Sequence, residues 1–354
     1  MTHRLTRREG PRTCMTVALA ATAALSQLNS DAYLARPPEL PLVIGAIPYW
    51  DRSAALMSTY THVRYLDIVS PWSYSVAADG TVAATSGSDL DADSAMATRL
   101  GASNIRTIPT ITNTTAGEWD RDTVASVLSD PSLRGAHIDA LTALVREHGF
   151  DGVQIDYENL LSADRVGFST FVGELGAALH RIGRVLHVAV HAKPNDAGYG
   201  PHNEAQDYAA VARGADKVIV MAYDRHWATS TAGPIAPYDW VEEVLRYAIT
   251  QIPREKLVLG VGLYGYDWVG SSATPLTWTQ VMSIAAAQKP LLSWDETSRS
   301  THFAYILDGI LHEVWFENAR SVEAKIDLAR RHGLAGVALW RLGGEDPSIW
   351  GLGP

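Results

Sequence analysis

Asp156 and Glu158 stand two residues apart in the segment Phe150-Asp151-Gly152-Val153-Gln154-Ile155-Asp156-Tyr157-Glu158-Asn159-Leu160. Read as a strand, the segment places Val153, Ile155 and Tyr157 on one face and Gln154, Asp156 and Glu158 on the other. Two neighbouring carboxyls in a pocket repel, which raises one of their pKa values and leaves a group able to hold a proton near neutral pH. General acid–base catalysis uses such a group. A bare D-x-E also occurs at ordinary solvated strand ends. The fully apolar opposite face instead suits a barrel strand, packed outside on helices and ending inside in a polar site.

The elements that would position this pair alternate along the chain. Strand-like stretches are expected at 42–50, 65–69, 105–111, 150–160, 185–190, 217–223, 257–263 and 334–339. Amphipathic helical stretches lie between them, among them 132–148, 166–182, 239–251 and 321–332, and His148-Gly149 is a helix stop just ahead of the acidic strand. Eight strands alternating with helices predict an α/β fold of the (β/α)8 TIM-barrel type. One connection is too long for a simple crossover. Residues 268–318 contain strand-like pieces at 303–307 and 312–316 around Asp308-Gly309, which predicts a small α+β insertion with a hairpin after the seventh strand. Several expected strand ends are rich in Trp, Tyr, Asn, His and Asp, which is where such barrels carry chemistry, and Trp72, Asn113 and Tyr266 are taken as substrate contacts on that ground. Trp50, Trp227 and Trp268 are further cleft candidates, with packing an equal alternative for each. His191 and Lys193 are candidates to line the same pocket.

The whole chain narrows the function classes. At 354 residues with 47% hydrophobic content it can bury a large core, and a formal charge of −10 argues against nucleic acid or an anionic membrane surface as partner. Arg4, Arg7, Arg8 and Arg12 precede an apolar run over 14–25, the order of a secretory signal peptide. That run is short for a membrane span, which needs ~20 residues. Residues 1–35 are therefore expected to be a signal peptide or N-terminal anchor and 36–354 the catalytic barrel. The mature protein is expected to be monomeric, outside the cell or in the wall, without stable membrane insertion. Cys14 is the single cysteine and lies in that leading segment, so the barrel has neither disulfide nor thiol nucleophile. His187 and His191 lack partners at metal-ligand spacing, so no metal is expected. Gly260-Val261-Gly262-Leu263-Tyr264-Gly265 fits G-x-G-x-x-G but opens no helix, so no nucleotide cofactor is expected either.

The longer pattern D-G-x-x-x-D-x-E, preceded by an aromatic residue and followed by Asn159, resembles the signature of glycoside hydrolase family 18, which contains chitinases and N-acetylglucosaminidases. Its form is most similar to the branch of spore-cortex and peptidoglycan N-acetylglucosaminidases. Met221-Ala222-Tyr223-Asp224 is similar to the family's M-x-Y-D, and Ala338-Leu339-Trp340-Arg341 and residues 233–268 also resemble this branch. The resemblance runs from about residue 42 to 350. One departure is Gln154, where the commonest pattern has a third Asp; it can hydrogen-bond Asp156 but not share a negative charge with it. The resemblance implies a secreted hydrolase of β-1,4-linked N-acetylglucosamine in peptidoglycan or chitin. Glu158 would be the general acid, Asp156 would orient the substrate's 2-acetamido group for attack on the anomeric carbon, and Tyr223 would hold the acetamido oxygen. Asp224 and Trp340 would bind the sugar, and Gln154 and Asp151 would support the acidic pair. The competing classes are a non-catalytic carbohydrate-binding barrel and a metal-dependent polysaccharide deacetylase.

Overall fold

Eight parallel strands close into a barrel in the computed structural model, which describes residues 42–85 and 88–352. The expected signal segment 1–35, with Cys14, lies outside the described residues. The strands are β1 Leu42–Pro48, β2 Ile68–Val76, β3 in two pieces (Arg106–Thr107 and Thr110–Thr112) and β4 Gly152–Asp156. They continue as β5 Val185–His191, β6 Lys217–Met221, β7 Leu257–Gly262 and β8 Gly336–Trp340. Each pairs with the next, and β8 returns to β1 with Val337 opposite Val43, so the expected TIM barrel is what forms.

Sequence parity decides which way each strand faces. Val153, Ile155 and Tyr157 of the acidic segment are fully buried in the layer between sheet and helices, against Phe168 and Phe171 of helix Arg165–Arg181 and Leu141 and Val145 of helix Pro131–His148. Asp130 caps that last helix by accepting from the amides of Ser132 and Leu133. Tyr157 donates to His137 Nε2 at 2.5 Å, and His137 Nδ1 lies 2.8 Å from the Gly80 carbonyl, which fixes the histidine as the neutral Nδ1–H tautomer. Inside the barrel, Ile44, Ile68, Ile108, Ile219 and Val258 form an apolar plug. Gly152 marks the closest approach of β4 to its neighbour, since a Cβ there would lie 2.1 Å from the Val185 carbonyl.

Several boundaries differ from the sequence expectation. The first strand ends at Pro48, and Tyr49–Asp51 turn into a 3-10 helix. The second begins at Ile68 and runs through Pro71 to Val76, because Pro71 keeps its place opposite Ile47 without needing an amide. The third is interrupted at Ile108-Pro109, where Pro109 has no N–H to give and its carbonyl instead accepts from Gln154 N. The insertion starts at Gly265, three residues before the expected limit. It is a five-stranded antiparallel sheet with helix Trp278–Gln288 and its own core of Leu276, Val281, Phe303, Val314 and Phe316. Its hairpin turns at Asp308-Gly309, both residues left-handed, as expected. No helix among the described residues is long and apolar enough to cross a membrane.

Candidate active site

The acidic pair sits where β4 leaves the barrel. Asp156 is the last residue of the strand, 6% exposed, opposite Thr112 of β3. Its Oδ2 accepts from Trp72 Nε1 at 3.5 Å, and its Oδ1 has no protein partner. Burial pushes its carboxyl up to about 6, with the Trp72 hydrogen bond acting against the rise. Glu158 follows with its side chain 22% exposed at the mouth. Burial and the negative charges of Asp156 and Asp224 hold its carboxyl well above the usual carboxylate range, which favours the protonated form.

Asn113, expected as a substrate contact, has another role. Its Oδ1 accepts from Glu158 N at 2.8 Å while its Nδ2 donates to the Glu158 carbonyl at 2.9 Å, so both ends of the buried amide clamp the backbone of the acid. A substrate has no amide atom left to use.

Tyr223 and Asp224 arrive on the same mouth from β6. Asp224 adopts a left-handed conformation (φ 55°), which Asp tolerates better than most residues, and its Oδ1 accepts from Tyr264 (2.6 Å) and Tyr266 (3.3 Å). Burial and the acidic side chains of Asp156, Glu158 and Asp224 raise the Tyr223 phenol well above its usual range, which keeps its hydroxyl ready to donate a hydrogen bond. Glu158, Tyr223, Asp224 and Tyr266 line one cleft of about 730 Å³ together with His191, Tyr199, Arg225, Trp227 and Trp240. His191 Nε2 is 3.9 Å from Glu158 Oε2 and has no hydrogen-bond partner; burial lowers the imidazole to about 4, so it is neutral.

On the other side of Asp156 lies an aromatic wall. Trp72 is stacked on Tyr49 (ring centroids 5.9 Å) and meets Trp50, Trp119 and Trp340 edge-on at 5.2, 6.0 and 6.1 Å. Trp340 is half-buried at the end of β8, and Trp50 presents its open face to solvent.

Two expected supports of the pair are placed elsewhere. Asp151 precedes β4, five residues before Asp156, and at about 3.3 Å per strand residue that is roughly 16 Å away, at the opposite rim of the barrel. There it accepts from Thr107 N and faces Arg184, so it is a structural tie and not a sugar contact. Gln154 lies one inward-facing layer below Asp156, and its Nε2 donates to Thr110 Oγ1 at 3.1 Å rather than to Asp156. Lys193 is likewise turned away from the pocket, bonded to Asp196 and to the carbonyls of Asn203 and Gln206. Trp268 is core, while Trp227 reaches the cleft. Sequence reasoning missed Tyr264 and Arg225; Tyr264 had the signal of a second tyrosine at alternate spacing to Tyr266. No cluster of three or more metal-ligating side chains occurs among the described residues.

A closed (β/α)8 barrel with a glutamate of raised pKa, an adjacent aspartate and a cluster of indoles at the C-terminal mouth is the arrangement of a barrel glycosidase. Residues 54–345 match the profile of glycosyl hydrolases family 18, and the chain belongs to that family. It is 31% identical over 335 residues to the sporulation-specific glycosylase YdhD of Bacillus subtilis (strain 168), covering 91% of this chain and 78% of that one. Among solved structures it resembles a chitinase from Chromobacterium violaceum ATCC 12472 (TM-score 0.82, 30% identity, 88% of this chain and 97% of that one). It also resembles the Bacillus cereus spore cortex-lytic enzyme SleL (TM-score 0.79, 26% identity, 89% of this chain and 73% of that one).

Proposed function

We propose that this glycosidase hydrolyses β-1,4 bonds of N-acetylglucosamine in peptidoglycan, with chitin as second choice, through a substrate-assisted retaining mechanism. The observation that carries the reading is the placement of Glu158 in the cleft, two residues after the buried Asp156 and near Asp224, where burial and those two negative charges raise its carboxyl and favour the protonated form. Glu158 gives its proton to the glycosidic oxygen as the C1–O bond breaks. The carbonyl oxygen of the 2-acetamido group bonds to C1 and forms an oxazolinium ion. Asp156, whose Oδ1 has no protein partner, accepts from the acetamido N–H and balances the positive charge; Tyr223 donates to the acetamido oxygen. Water then attacks C1, Glu158 takes its proton, and the ring opens with retained configuration. Asp224 and Tyr266 bind the sugar from one side, and Trp340 forms the floor under its ring, since the C–H face of a pyranose packs well on an indole. The cortex-lytic name of one relative favours a wall polymer, and the chitinase name of another keeps chitin in play. Export outside the cell rests on the signal-like order of residues 1–35.

The test is mass spectrometry of products from peptidoglycan and from chitin oligosaccharides. Fragments with N-acetylglucosamine at the new reducing end, from peptidoglycan alone, are the expected result. Glu158→Gln should lower the rate by at least the ~10²–10⁴-fold that a general acid contributes, with glycan binding kept. Glycan binding without cleavage by the unaltered protein would overturn the enzymatic reading in favour of a carbohydrate-binding barrel.

A further inference from the structure

We propose that Arg225 reads a carboxylate on the sugar adjoining the cleaved N-acetylglucosamine, so that the protein prefers a glycan alternating N-acetylglucosamine with an acid-bearing sugar over neutral chitin. The inference rests on the glycosidase reading above and sharpens its substrate class.

Arg225 directly follows the β6 pair Tyr223-Asp224, is exposed, and lines the same cleft as Glu158. Its backbone is fixed by the bond from its N–H to the Ile235 carbonyl. The guanidinium makes no ion pair or side-chain hydrogen bond among the described residues. The acids around it are engaged elsewhere. Burial and the neighbouring acids favour the protonated form of Glu158, and Asp224 takes two tyrosine hydroxyls on one oxygen. Across the cleft, Asp196 pairs with Lys193 and Arg165, and Glu204 accepts from Ser162 and the Gly198 amide. The other basic side chains lining the cleft are His191, neutral by burial, and His202, whose Nδ1 is taken by the Leu160 carbonyl. A permanent cation thus stands uncompensated in the substrate cleft of a chain with a net charge of −10. A neutral chitin chain offers it only hydroxyls. The lactyl group of N-acetylmuramic acid is amide-bonded wherever a stem peptide is attached, but on glycan strands stripped of that peptide it is a free carboxylate, a two-oxygen acceptor matching the guanidinium fork.

The experiment compares three soluble tetrasaccharides: alternating N-acetylglucosamine and N-acetylmuramic acid, the same glycan with its carboxyls methyl-esterified, and the chitin tetrasaccharide. A charge-assisted bond in a half-open cleft predicts kcat/KM roughly tenfold higher for the free acid than for its ester in the unaltered protein. Arg225→Met should bring the free acid down to the ester's value while changing ester and chitin less than about twofold. Equal losses on all three glycans, or no distinction between acid and ester before substitution, would overturn the proposal. If none of the three is hydrolysed, the glycosidase reading itself fails. Dissociation constants for the same glycans, measured by calorimetry on both proteins, still decide whether Arg225 reads the carboxylate.

Discussion

Asp156→Asn should end hydrolysis and at the same time stabilise the protein at neutral pH. Burial raises the Asp156 carboxyl from 3.8 to about 6 in the folded state. Between these values the unfolded chain has released the proton and the folded chain keeps it, so the folded state binds more protons and stability falls as pH rises through the window. At 1.36 kcal/mol per tenfold, the cost of ionising Asp156 reaches about 3 kcal/mol above pH 6. Asparagine has nearly the same shape, carries no charge, and its Oδ1 can still accept from Trp72 Nε1. The variant should therefore gain about 3 kcal/mol at pH 7.5 and less than about 1 kcal/mol at pH 4, where the carboxyl is largely protonated in the fold and only half ionised outside it. Buried histidines act in the opposite sense on both proteins. His137, His187 and His191 are lowered to about 4, 3 and 4, so the fold refuses protons that the unfolded chain binds below 6.5, and absolute stability drops on acidification. This term cancels in the difference between variant and parent. The assay is urea unfolding of both proteins at the two pH values. A gain independent of pH, or a loss at pH 7.5, would refute the assignment of Asp156 as a carboxylate held at a cost for catalysis.

Two further substitutions probe how the site is held. Asn113→Ala strands the Glu158 N–H and C=O together, and should lower kcat roughly 10- to 100-fold with little change in KM, alongside a stability loss of about 2 kcal/mol seen in the same unfolding assay. An unchanged kcat would mean that Glu158 is positioned by other contacts. Gly260→Ala puts a Cβ 2.8 Å from the Val220 carbonyl and 3.1 Å from Tyr223 Cε1. Because the backbone cannot yield, about 1–3 kcal/mol of stability should be lost and Tyr223 displaced, read as a fall in kcat that a stabilising additive does not restore.

Much of the barrel was legible because each strand had to bury one face on helices. The parity of Val153, Ile155 and Tyr157 against Gln154, Asp156 and Glu158 is local information, and the folded strand keeps it. The end of the helix ahead of the acidic strand was legible too, through Gly149 behind His148. Where tertiary pairing overrode local signals, the reading slipped. Pro71 looked like a strand end, yet it sits within β2 opposite Ile47, and Pro109, with no N–H to give, interrupts β3 while its carbonyl still accepts from Gln154 N across the sheet. Asp151 shows the limit of motif reading most plainly. The signature places it with the pair by sequence, while the rise of an extended strand carries it to the far rim.

The glycines of β7 make the same point from the other direction. As a pattern, Gly260-x-Gly262-x-x-Gly265 matched a phosphate-binding loop. In the folded barrel it is a set of clearances for the sugar site. A Cβ at Gly260 would press on Tyr223, one at Gly262 would come within 2.9 Å of the Tyr264 ring, and one at Gly265 would strike Phe316 of the insertion. Tyr264 and Tyr266 then reach Asp224 only because the chain leaves β7 close against β6. The insertion is thus joined to the site through backbone clearance: its first strand brings Tyr266, beside Tyr264 of the β7 exit, to the carboxylate that follows Tyr223, and β7 carries glycine at 260 and 262 where side chains would press on Tyr223 and Tyr264. No pairwise spacing in the sequence encodes that requirement, because it links β6, β7 and residues 265–316 at once.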